Sequence, residues 1–64
     1  MKLEIVFDEL YKMYGNNFLK GTSNVSELNI TILKNEKEKE ITINNYDKLT
    51  EEDILIMIEK LYNS

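Results

Sequence analysis

The stretch "NITILKNEKEKEITIN", residues 29–44, decides how this chain folds. It opens with Asn-Ile-Thr-Ile and closes with the same four residues reversed, around a centre that is mostly charge. Leu28, Ile30 and Ile32 alternate with Glu27, Asn29 and Thr31, and Ile41 and Ile43 alternate with Glu40, Thr42 and Asn44. A period of two belongs to a strand with one buried face. Strands are therefore predicted over 27–33 and 39–44, joined as a hairpin. If the mirror sets the register, Ile32 faces Ile41, Ile30 faces Ile43, Thr31 faces Thr42 and Asn29 faces Asn44. Each pair is then matched in polarity, as cross-strand packing favours, and a slip of one residue would set isoleucine against threonine. The mirror centre leaves Glu36-Lys37 as a two-residue loop, which is poor chemistry for a tight type I′ turn. A longer loop over Asn35 to Glu38 is the alternative.

Outward from the hairpin, both ends of the chain carry helical periodicity. At 100° per residue, Leu3, Val6, Phe7, Leu10, Tyr11, Met13 and Tyr14 share one arc, opposite Glu4, Asp8, Glu9 and Lys12. A helix over 3–14 is predicted, ending at Gly15 in a left-handed cap. "KLEIVF" also alternates with period two, but that pattern breaks at Val6 while the helical one holds for over three turns. A second helix is predicted over 51–62. Thr50 is its expected N-cap, Glu51, Glu52 and Asp53 suit the positive end of its dipole, and Lys60 suits the negative end. Its apolar arc holds Ile54, Leu55, Met57, Ile58, Leu61 and Tyr62. Residues 15–24, "GNNFLKGTSN", read as a loop rich in turn residues. The sum is a single α+β domain over 1–64, a two-layer α-β-β-α unit whose antiparallel hairpin packs against two helices. Tyr11 and Tyr14 are expected in its core, with their hydroxyls at the rim.

Composition narrows the function. The 64 residues include neither Cys nor His, so no disulfide and no common zinc or iron ligand set is available. The usual proton-shuttling base and thiol nucleophile are missing too. The carboxylates near "YDKLTEED" do not match a calcium loop, and "GNNFLKG" lacks the ending of a phosphate-binding loop. No cofactor, metal site or enzymatic activity is expected. Net charge is −4 with all eight basic residues lysine, which disfavours direct nucleic-acid or anionic-membrane binding. "MKLEIVFDEL" carries acids where a secretory signal needs an apolar run, so a cytoplasmic protein is expected. Abundant Asn, Lys, Glu and Ile suggest an AT-rich genome, a low-GC bacterium or its phage.

Two functional expectations remain. The first is a small regulatory or adaptor protein that binds another protein, as a homodimer. Small size and the two open edges of a two-stranded sheet motivate it. The second is an acidic inhibitor that occupies the nucleic-acid-binding surface of a larger protein. Its phosphate mimics would be Glu36, Glu38, Glu40, Asp47, Glu51, Glu52 and Asp53. The candidate partner-binding residues are Tyr46, Asp47, Glu51 and Glu52 beside the second helix, Phe18 and Leu19 in the predicted loop, and Ile56, with Ile5, on otherwise polar helix faces.

Overall fold

A computed structural model describes residues 2–64. Helix α1 spans Lys2–Tyr14 and is followed by a short 3₁₀ turn, Gly15–Asn17, with Gly15 at the positive φ of 58° expected for the helix end. Strands β1 (Phe18–Ser23), β2 (Glu27–Lys34) and β3 (Lys37–Asn44) form one antiparallel sheet in the order β1-β2-β3. A second 3₁₀ turn, Tyr46–Lys48, leads into helix α2, Glu51–Tyr62. Both helices pack on one face of the sheet, α1 towards β1 and α2 towards β3. They run side by side in the same direction. Lys2, at the start of α1, donates to the carbonyls of Asp47 and Leu49 ahead of α2, and Tyr14 at the end of α1 meets Tyr62 at the end of α2, ring centres 4.8 Å apart.

The α+β class and the helix-covered hairpin match the sequence reading, and "KLEIVF" is helical. Two features differ. Residues 18–23, expected as loop, form the third strand β1. Its sequence, "FLKGTS", hides the alternation because Leu19 is the extra residue of a bulge between Phe18↔Ile32 and Lys20↔Thr31. Beyond the bulge, the inward position opposite Ile30 is Gly21. Phe7 fills the space a side chain would occupy there. A Cβ on Gly21 would come within 2.7 Å of Phe7 Cε1 and 3.1 Å of Ile30 Cδ1.

The second difference is the hairpin register, which sits two residues from the mirror. Ile30 faces Ile41, Leu28 faces Ile43 and Asn29 faces Thr42. A shift of two keeps every side chain on its face, so the apolar rows survive. The turn decides the choice. The loop is Asn35-Glu36, with φ values of 53° and 65°. Asn tolerates the left-handed region, whereas the mirrored register would have put two long charged side chains there. The shift has a local consequence, because Lys34 now faces Lys37. Lys34 turns aside to donate to the Tyr62 carbonyl, its ammonium 5.0 Å from the Tyr62 ring centre.

The core is Val6 and Leu10 from α1, Ile54 and Ile58 from α2, and Phe18, Leu28, Ile30, Ile32, Ile41 and Ile43 from the sheet. Leu3, Phe7, Tyr14, Tyr46, Leu49, Leu55 and Tyr62 pack around its margin.

Two substitutions test this local chemistry. Holding an L-residue left-handed costs about 1–2 kcal/mol, and glycine returns part of that as unfolded-state entropy. Glu36→Gly therefore raises stability by about 0.5–1 kcal/mol in urea unfolding. Gly21→Ala lowers it by about 1–3 kcal/mol through overpacking against Phe7, and adding Phe7→Leu to that variant recovers part of the loss.

Candidate functional site

The segment between β3 and α2 was the best sequence candidate for a contact surface, and its conformation is set locally. Asn45 leaves β3 with φ 58°, its amide donating to the Ser26 carbonyl at 2.6 Å. One 3₁₀ turn follows, and Thr50 then caps α2, its hydroxyl accepting from the Asp53 amide at 3.1 Å. The Tyr46 ring packs against the core margin while its hydroxyl donates to the Asn24 carbonyl at 2.8 Å. Tyr46 thus ties the β1–β2 connection to the start of α2. Asp47 and Glu52 stand exposed beside it, with Glu51 half-buried.

The other candidates lie elsewhere. Phe18 is only 5% exposed and belongs to the core, so the expectation of a surface contact there does not describe its position. Its ring takes an edge-on contact from Tyr11, centres 4.7 Å apart, and a tilted one from Phe7 at 5.9 Å. Leu19, thrown outward by the bulge, is 43% exposed, as is Ile56 on α2, and Ile5 on α1 is also exposed. Phe18 pairs near the far end of β2 from Ser26 and Asn45. Six residues of strand, ~20 Å, therefore separate Phe18 and Leu19 from Tyr46 and Asp47, and the named residues do not form one surface.

Tyr11, expected in the core, is 57% exposed and flanks the outer side of Phe18. Met13, Met57 and Leu61 are also exposed. The signal for all four was present in the helical arcs: each lies at an arc margin, where the covering sheet is only three strands wide.

The sheet face away from the helices is polar. Lys20, Thr31 and Glu40 form one cross-strand row, and Thr22, Asn29 and Thr42 the next. Thr42 Oγ1 donates to Asn29 Oδ1 at 2.8 Å, and Asn29 Nδ2 donates to Glu27 Oε1 at 3.1 Å. The two rows border a shallow depression that offers hydrogen bonds and a single lysine–glutamate pair of charges. Among the described residues no three acidic side chains converge as a metal site would require, and no helix is long and apolar enough to cross a membrane.

The seven candidate phosphate mimics fall into two groups. Asp47, Glu51, Glu52 and Asp53 lie at the start of α2, while Glu36, Glu38 and Glu40 belong to the hairpin near its end. Lys34 and Lys39 sit at that same end, donating to the carbonyls of Tyr62 and Ser64. A helix of twelve residues separates the groups by roughly 18 Å.

This geometry defines a small α+β domain whose accessible chemistry is that of its outer surface. No protein-family model, curated protein or solved structure matches the chain.

One buried group stands out. The Tyr14 hydroxyl has no hydrogen-bond partner among the described residues. Burial, then the Glu59 carboxylate, then Tyr62 push its pKa above the ordinary 10.0. A raised folded-state value means the neutral phenol favours folding fully below pH 10, and that contribution disappears as pH climbs through the higher value. Tyr14→Phe removes the unpaired hydroxyl. The expected result is unchanged or slightly higher stability at neutral pH, by up to ~1 kcal/mol, and a shallower loss of stability above pH 10, read by thermal unfolding across the alkaline range.

Proposed function

We propose that this chain is a small non-enzymatic regulatory or adaptor protein that acts by binding protein, with a second copy of itself as the first partner. One observation carries the reading. Ten residues already complete the core, yet Ile5, Tyr11, Leu19, Ile56, Met57 and Leu61 remain exposed on both helices and at the sheet edge. Scattered exposed apolar residues are ordinary, but here they accompany two sheet edges with unpaired backbone groups. The absence of His and Cys from the sequence is consistent with a protein that binds rather than catalyses.

The division of the candidate acids between two ends of α2, with Lys2 and Lys48 beside one group and Lys34, Lys37 and Lys39 among the other, weighs against the phosphate-mimic alternative, which needs a continuous run of negative charge. Sedimentation equilibrium tests the reading: the expected solution mass tends to twice the 7.6 kDa of one chain as concentration rises. Association through apolar and backbone contacts should change little between low and high salt. A chain that stays at single mass up to millimolar concentration would refute self-association. A larger partner whose affinity collapses with added salt would favour mimicry instead.

A further inference from the structure

We infer, resting on the self-association just proposed, that two copies join through β1, antiparallel, with Gly21 on the two-fold axis, giving a continuous six-stranded sheet. The first support is charge. Each chain carries −4, so two copies approach with least repulsion where acids are absent. All twelve Asp and Glu residues lie outside residues 10–26, which hold Lys12, Lys20 and the whole of β1. The edge strand itself therefore carries no acid, while on α1 Glu4 and Asp8 lie one turn from Phe7 and Tyr11. The opposite edge, β3, carries Glu38 and Glu40 and follows directly on Glu36.

The second support is register. In a two-fold antiparallel pair the axis stands normal to the sheet, so opposed residues share a face. On β3, Lys37 and Lys39 share the face of Ile41, while Glu38 and Glu40 occupy the other. Registers centred on the charged half of β3 therefore set lysine against lysine and glutamate against glutamate. Registers centred on its apolar half either set Lys39, which holds the Tyr62 and Ser64 carbonyls, against Ile43 of the second copy or carry it beyond the second copy's strand.

On β1 only one charge must be placed. An axis at Lys20 would oppose the two lysines, and an axis at Thr22 would draw Asn24, already bonded to Ser26 and Glu27, into the pairing. With Gly21 on the axis, Lys20 faces Thr22 of the second copy and Leu19 faces Ser23. The Phe7 ring rests on Gly21, so this axis also brings the two half-buried Phe7 rings towards each other, with exposed Tyr11 on the same flank of α1.

Charge substitutions at Thr22 give the test, because Thr22 is exposed and the register sets it against Lys20 twice per dimer. Dimer affinity is measured by sedimentation for the wild-type chain, Thr22→Glu, Thr22→Lys and Glu38→Lys, with folding checked by circular dichroism. Thr22→Glu is expected to tighten the dimer and Thr22→Lys to loosen it, each about tenfold, with both effects shrinking at high salt. Glu38→Lys should leave affinity within about twofold, since charges far from the interface couple weakly. If the wild-type chain dimerises but the two Thr22 variants shift it in the same direction or not at all, or if Glu38→Lys tightens it, the β1 assignment is wrong and the homodimer stands. A wild-type chain that remains monomeric removes both.

Discussion

Everything in this molecule hangs on the inner face of β2. Leu28, Ile30 and Ile32 lie at or near zero exposure, under both helices and between two hydrogen-bonded neighbours. Burying each side chain contributes roughly 1.5–3 kcal/mol. Three of them therefore match the whole net stability expected of a chain this size, ~3–10 kcal/mol. With neither Cys nor His in the sequence to supply a disulfide or a structural zinc site, that face cannot be compromised. Both helices are positioned by it: Val6 and Leu10 from one side, Ile54 and Ile58 from the other, are buried in the same cluster.

The same central strand explains why some of the fold was legible in sequence. Residues 27–34 have period-two alternation because they are paired on both sides and covered on one face. The helices were legible because each buries a stripe beside them. Strand β1 was not, because an edge strand needs fewer apolar residues of its own. Its inward position at Gly21 is filled from above by Phe7, a contact between residues fourteen apart that no local pattern announces. The hairpin register was misread for a different reason. Polarity matching cannot distinguish registers two residues apart when isoleucines recur at that spacing, and the decision passes to whether Asn35 or Lys37 must adopt positive φ. Of the candidate contact residues, Ile56 is exposed on an otherwise polar helix face, Leu19 is exposed at the bulge, and Phe18 folds back against Phe7 and Tyr11 of α1 and is buried.

The charged ribbon after the hairpin turn illustrates how composition understates structure. "EKEKE" reads as a solvated turn. In the fold, Lys39 on one strand and Lys34 on its neighbour converge on the Tyr62 carbonyl at the end of α2, and Lys39 also reaches the Ser64 carbonyl just beyond it. The Tyr62 carbonyl has no partner within the helix and lies at the negative end of its dipole. Two lysines there satisfy acceptors that the sequence after Tyr62 does not. At the other end Thr50 receives the Asp53 amide, and Lys2 ties the start of α1 to the carbonyls of Asp47 and Leu49. Both ends of the helical layer are thereby fastened to the rest of the chain.

The third strand also changes what self-association means. A bare two-stranded hairpin is marginal on its own, and packing against helices or a third strand gives it independent stability. This sheet has both. Three strands with a fully covered apolar face stand without a second copy. The proposed assembly would then be a separate equilibrium, governed by concentration and by the few groups at the sheet edge rather than by the core. Nothing buried in the monomer would have to be exposed for the two copies of the proposed dimer to part. In that dimer the β1 edge of each copy is taken up by the other, so that edge would not also be open to an extended segment of a different chain.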